Sequence, residues 1–322
     1  MTQPAGRIVL LVTSPRLPAG LLTAYAWDLV RSGPVFTAFD GPQVVALRAS
    51  GVTVNVVSPS IDQLLGSLTS SSTVVWLAGA AGDEDFARQL GMRLAREPGL
   101  AELELCHGSW DPPGARLLDA VAVMDRLVSP GGDPWKQQQT HETLAQYLLE
   151  ESYEAYDAIA DNDLDALREE LGDVLLQVVL HARLAEDLPE DERWNVDDVA
   201  GDLVDKMVRR NPHVFAGESV ASVEDIIDNW ERIKKAEKSR ESVLEGIALS
   251  QPALALAAKI LQRTERAGLD VPLPSGADLG STLLRLVAQS RVDGLDAESL
   301  LRAAALRHAG AVRDAESVAP AE

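Results

Sequence analysis

Residues 140–186 read THETLAQYLLEESYEAYDAIADNDLDALREELGDVLLQVVLHARLAE. Their apolar residues recur at helical spacing, and no proline interrupts them, so the segment predicts two long helices, Thr140–Ala160 and Leu164–Glu186. Between these helices, Asp161-Asn162-Asp163 forms a turn and N-cap cluster. Glu151 and Glu154 are three apart, as are Glu170 and Asp173, so each pair shares one helix face. If the chain bends near residue 162, Glu154 and Glu170 each lie ~12 Å from the bend, and Glu151 and Asp173 each ~16 Å from it, at ~1.5 Å rise per residue. An antiparallel hairpin then sets the four carboxylates in two facing rows. Its apolar seam is expected to place Leu148, Leu149, Ala155 and Ile159 against Leu167, Leu171, Val174, Leu175 and Val178. Gly172 costs ~1 kcal/mol relative to Ala inside a helix, which suits a place where another backbone or a ligand comes close.

Spacing alone leaves two readings open. Carboxylates at helical intervals are commonly solvated and paired with neighbours such as Arg168 and Arg183. Four carboxylates gathered at one level, however, repel one another unless a cation neutralises them. An all-oxygen set favours a hard ion, Mg²⁺ or Mn²⁺, and Mg²⁺ commonly works through substrate phosphates.

Flanking residues add cations and aromatic planes. Upstream stands Pro134-Trp135-Lys136. Downstream, Lys206, Arg209 and Arg210 lead into Asn211-Pro212-His213-Val214-Phe215, followed by Asn229-Trp230-Glu231-Arg232-Ile233-Lys234-Lys235. Lys206 and Arg210 are four apart, as are Trp230 and Lys234, so each pair shares a helix face. Cations suit phosphates and a tryptophan face suits a base.

The remaining sequence sets the domain plan. Residues 1–115 read as a small β/α domain, with strands at Ile8–Thr13, Val52–Val57, Thr73–Leu77 and Glu102–Cys106 and helices at Leu21–Arg31 and Asp85–Arg96. That alternation predicts an open, largely parallel sheet. Thr13-Ser14-Pro15 after the first strand is not a phosphate loop. Gly79-Ala80-Ala81-Gly82-Asp83 fits neither a dinucleotide fingerprint nor a Walker loop, so a structural or interaction role is expected there. Trp110-Asp111-Pro112-Pro113-Gly114 marks the boundary. Beyond it the chain is predicted helical: Leu117–Val128, the two long helices, Val196–Asn211, Val223–Ser239, Leu254–Arg266, Leu279–Ser290 and Ala297–Ala315.

A net charge of -21 disfavours a nucleic-acid polymer as partner. The single cysteine, Cys106, excludes a disulfide or a Cys-based zinc site within one chain. It reads as a buried strand residue, with His107 on the opposite face. The first residues lack the pattern of a signal peptide, and no apolar run has the length of a membrane span, so a cytoplasmic location is expected.

Taken in order, Pro134-Trp135-Lys136 with Gln139-Thr140, Leu149-Glu150-Glu151-Ser152-Tyr153-Glu154, Glu169-Glu170-Leu171-Gly172-Asp173, Arg209-Arg210-Asn211-Pro212-His213-Val214-Phe215 and Trp230-Glu231-Arg232-Ile233-Lys234 resemble the MazG family of nucleoside triphosphate pyrophosphohydrolases. The resemblance covers residues 116–245, with a fainter likeness over Pro252–Asp270. It implies a mainly α protein with an all-α, four-helix-type core and a homodimer. It also implies Mg²⁺-dependent hydrolysis of an NTP or dNTP to the monophosphate and pyrophosphate, serving to clear unwanted nucleotides. Glu151, Glu154, Glu170 and Asp173 would hold the metal. Lys206, Arg210 and Lys234, with Lys136 as a weaker member, would meet phosphates, and Trp230 the nucleoside. Longer relatives carry a second acidic quartet, which residues 246–322 lack, so that segment is expected to be a degenerate helical repeat without catalysis. The N-terminal domain resembles at most a shortened methylase domain without a cofactor loop. The competing expectation is a non-catalytic helical regulator that senses nucleotides or binds proteins.

Overall fold

Strands β1 (Arg7–Val12), β2 (Val35–Thr37), β3 (Val54–Val56), β4 (Thr73–Leu77) and β5 (Glu102–His107) form one sheet in the order β3-β2-β4-β1-β5. Every pairing is parallel, as the β/α alternation predicts. The structure is a computed structural model describing residues 6–68, 71–80, 82–218, 220, 222–237 and 242–318.

Helices α1 (Ala24–Ser32), α2 (Pro42–Ala49), α3 (Ile61–Ser67) and α4 (Glu84–Arg96) connect the strands. Because alternate strand residues face opposite sides, the sheet carries two cores. Val9, Leu11, Val35, Val75 and Leu77 pack with Leu29 and Val30 of α1 and with Val44 and Leu47 of α2. Ile8, Leu10, Phe36, Val74 and Trp76 pack with Leu64 of α3 and with Phe86 and Leu90 of α4. Cys106 is buried, and its burial, then the Glu104 charge, pushes the thiol up; His107 is exposed. After β4, Asp83 accepts hydrogen bonds from Trp76 Nε1 at 2.7 Å and from the Gly79 amide at 3.4 Å. The glycine-containing segment here thus has a structural task, fixing the buried tryptophan; Ala81 lies outside the described residues.

Helix α5 (Arg116–Val128) begins the helical part, followed by a single 3₁₀ turn (Lys136–Gln138), α6 (His141–Ala160) and α7 (Leu164–Ala185). Arg16 ties the sheet to α5: it bonds Asp119 at 2.7 and 2.9 Å and also pairs with Asp111. The hairpin bend falls where the sequence places it. Asn162 adopts φ 57°, a left-handed conformation that Asn tolerates better than most residues. The Asp163 side chain accepts from the Asp165 and Ala166 amides, capping α7 and stabilising it by about 1 kcal/mol. Thr140 caps α6 in a reciprocal box with Thr143.

The hairpin seam differs from the expected one. The core here is Met124 and Val128 of α5 with Leu144, Val179 and Leu180, while Ala155 and Ala158 are buried where α6 approaches α7. Leu148, Leu149, Ile159, Leu171 and Val178 are exposed in the single chain. The reason is that α5 covers one side of the hairpin, which draws the buried stripe toward the α6 N-terminus and α7 C-terminus.

Contacts divide the chain into two units, Met1–Gly201 and Asp202–Glu322. Helix α8 (Val196–Arg210) crosses that boundary. The second unit continues with α9 (Pro212–Phe215), α10 (Val223–Glu237), α11 (Ala253–Arg266), α12 (Leu279–Val292) and α13 (Ala297–Val318). The last three pack together, with Val287 buried among them and Arg291 bonded to Glu265 at 2.7 Å. Of the described residues, 58% are helical. Among the described residues, no helix is long and apolar enough to cross a membrane.

Candidate metal centre

Helices α6 and α7 run antiparallel from the Asn162 bend, and this brings residues far apart in sequence to one level. Glu151, Glu154 and Glu170 each offer a carboxylate oxygen, and these three oxygens all lie within 4.8 Å of one another. Asp173 stands outside that trio, yet its charge acts on both Glu151 and Glu170.

The electrostatics are those of an uncompensated cluster. Burial is the largest influence raising the Glu151 carboxyl above its ordinary range, followed by the charges of Asp173, Glu154 and Glu150. For Glu170, burial again comes first, followed by the charge of Glu154, a hydrogen bond with Glu154, and the charge of Asp173. Two carboxyl groups in hydrogen-bond contact need a shared proton or a cation between them. The donor set is all oxygen, anionic and clustered, and therefore fits a hard divalent cation.

Gln177 is one residue that sequence reasoning missed. It lies one turn beyond Asp173 on α7, is buried, and hydrogen-bonds the Glu151 carboxylate. Its position four residues after Asp173 on the same face was the available signal. Further along α7, His181 Nδ1 meets His141 Nδ1 at 2.7 Å, and Trp194 stacks on His141 with ring centroids 6.1 Å apart. Burial, then the His141 charge, lowers the His181 pKa.

Among the described residues outside its own helix turn, a Cβ at Gly172 would meet nothing within 4 Å. Of the expected phosphate ligands, Lys136 is part-buried, bonds Asp133 at 3.3 Å and sits 5.6 Å from the Trp135 ring centroid. In the second unit, Arg210 lies 5.3 Å from the Trp230 ring centroid and bonds Glu237 at 2.6 Å. Arg209 bonds the same carboxylate, also at 2.6 Å, and the two guanidinium groups, Arg210 foremost, hold Glu237 down at about 2. Glu237 was not foreseen, because its partners lie a whole helix and loop away in sequence. Lys206 on α8 and Lys234 on α10 are both half-buried.

The MazG nucleotide pyrophosphohydrolase domain profile matches residues 139–215. A Streptomyces cacaoi protein described only as an uncharacterized 26.1 kDa protein in the blaB 3' region is 50% identical, across 72% of this chain and 94% of its own length. A nucleoside triphosphate pyrophosphohydrolase of Mycobacterium tuberculosis is 46% identical; the match takes in 63% of this chain and 59% of that protein. The nucleoside triphosphate pyrophosphohydrolase/pyrophosphatase MazG of Thermotoga maritima is 35% identical, across 59% of this chain and 82% of its own length. This chain belongs to the MazG family of nucleotide pyrophosphohydrolases.

Proposed function

We propose that this protein is a nucleoside triphosphate pyrophosphohydrolase that uses Mg²⁺, with Mn²⁺ as a substitute, to cleave NTPs or dNTPs to the monophosphate and pyrophosphate. The observation that carries this reading is the trio of carboxylate oxygens from Glu151, Glu154 and Glu170 within 4.8 Å, on the two helices whose sequence matches the family. Glu151, Glu154, Glu170 and Asp173 would hold the metal. When bound, it supplies charge neutralisation for the triphosphate and a lower pKa for the attacking water. Glu151 or Glu154 would accept the proton of the attacking water. Lys206, Arg210 and Lys234, assisted by Lys136, neutralise phosphate charge and stabilise the departing pyrophosphate. Trp230 offers its ring to the nucleoside, and Glu237 holds Arg210 while no phosphate is present.

The protein acts as a homodimer in our reading. Leu149, Ile159, Leu164 and Leu171 are large apolar residues left exposed on the hairpin, as suits a face that meets another hairpin and completes a four-helix core. Residues 1–115 form an accessory β/α domain, 116–245 the catalytic domain, and 246–322 a degenerate helical repeat without catalysis. The cellular task is removal of unwanted nucleotides in the cytoplasm. A non-catalytic sensor is not favoured, because the named relatives are hydrolases.

The test is product analysis. Incubation with ATP and the four dNTPs plus Mg²⁺ is expected to yield nucleoside monophosphate and pyrophosphate in equal amounts. Diphosphate with orthophosphate, or binding without turnover, contradicts the reading.

A further inference from the structure

Gln177 has the burial of a core residue and the chemistry of a site residue. It is only 4% exposed, yet its side chain is an amide. The amide donates to the Glu151 carboxylate, while Oε1 is buried with no hydrogen-bond partner among the described residues. Buried polar atoms are nearly always paired, so an orphaned carbonyl oxygen beside a carboxylate cluster marks the place of a missing donor. Packing alone would be served as well by Met or Leu, which fill a similar volume without an unpaired oxygen.

The amide also suits what Glu151 requires. Glu154 and Glu170 are hydrogen-bonded to each other, whereas Gln177 supplies the side-chain hydrogen bond to Glu151. A Lys or Arg at this position would neutralise Glu151 and compete with a cation. Another acid would add repulsion. A neutral amide donates without changing the charge of the cluster and keeps an acceptor to spare.

We infer that Gln177 is a positioning residue of the metal centre: its Nε2 fixes the Glu151 carboxylate, and its Oε1 accepts a hydrogen bond from a water ordered there with the cation. The inference rests on the metal reading above. Partners of this kind hold a ligand in its binding orientation, and their loss typically weakens metal binding about 10–100-fold.

The test is titration of the full-length protein with Mn²⁺, followed by electron paramagnetic resonance, together with melting curves in chelator. Gln177→Met and Gln177→Leu differ in shape, so a folding defect in one leaves the other as the test. Both are expected to bind Mn²⁺ about 10–100-fold more weakly than wild type. In chelator both are expected to melt close to the wild-type temperature, because loss of the hydrogen bond to Glu151 offsets removal of the orphaned oxygen. A merely structural role gives the reverse pattern, with lowered melting in chelator and wild-type Mn²⁺ affinity, and that result overturns the inference. If wild type itself binds no Mn²⁺, the metal reading fails first and takes this inference with it.

Discussion

Replacing Glu154 by Gln, or Asp173 by Asn, is expected to reduce Mg²⁺-dependent pyrophosphate release by at least about 100-fold, beyond the loss typical of the outer partners of a metal ligand. Each change keeps the shape of the side chain and removes one negative charge from the cluster. Glu154 is exposed and Asp173 half-buried, so neither substitution opens a cavity. Glu154 also hydrogen-bonds Glu170 and raises its pKa, so the amide relieves repulsion in the metal-free protein. The melting temperature in chelator is therefore expected to stay level or rise while activity collapses. Initial rates with dNTPs and melting curves, measured on the same preparations, check both halves. Full activity in both variants would remove the quartet from the mechanism.

The second large effect concerns pH and metal together. In the folded, metal-free protein the pKa values of Glu151 and Glu170 are raised by burial and by neighbouring acids. Between the ordinary carboxylate pKa and the raised one, the native state binds more protons than the unfolded chain. Stability contributed by these groups is thus present at the acidic side of that window and falls as pH rises through it. Glu237 behaves oppositely: its carboxyl is held at about 2, so its contribution is present above the ordinary range and is lost as pH falls toward 2. Comparing wild type with Glu151→Gln across pH isolates the cluster, and the variant is expected to lack part of the decline. Divalent metal reverses the decline in wild type. At a free concentration of about 100 times Kd it adds about 2.7 kcal/mol. At about 2–4 °C per kcal/mol for a chain of this class, the melting temperature rises by roughly 5–10 °C. Calorimetric scans at several pH values, with Mg²⁺ or chelator, read both effects. A cluster that melts identically with and without Mg²⁺ at neutral pH contradicts this account.

The hairpin was legible because its signals are long and redundant. Two helices of more than five turns average out local exceptions, and Asn162 and Asp163 carry turn and capping chemistry readable residue by residue. Strand β2 escaped notice for the opposite reason: Val35–Thr37 is three residues long and wholly buried, so it shows no alternation. Helices α2 and α3, with eight and seven residues, are too short to display a full apolar stripe. The hairpin seam was only partly legible because periodicity tells which residues share a face but not which neighbour covers it: Ala155 is buried and Leu175 packs against the α5 core, while Leu148, Leu149 and Leu171 stay exposed. In the centre, spacing brought Glu151, Glu154 and Glu170 to one level, but that Asp173 stands outside the trio became visible only in the structure. Gln177 was passed over although it stands four residues after Asp173 on one face, and Glu237 because a lone acid carries no pattern until its partners are known.

The most direct test of the central claim is the anomalous scattering of Mn²⁺ in crystals of the wild-type protein. The account predicts an anomalous peak among Glu151, Glu154 and Glu170, with Asp173 beside it, and no such peak in Glu154→Gln crystals. A catalytically active crystal whose Mn²⁺ binds elsewhere, with these four acids facing only solvent, would contradict it.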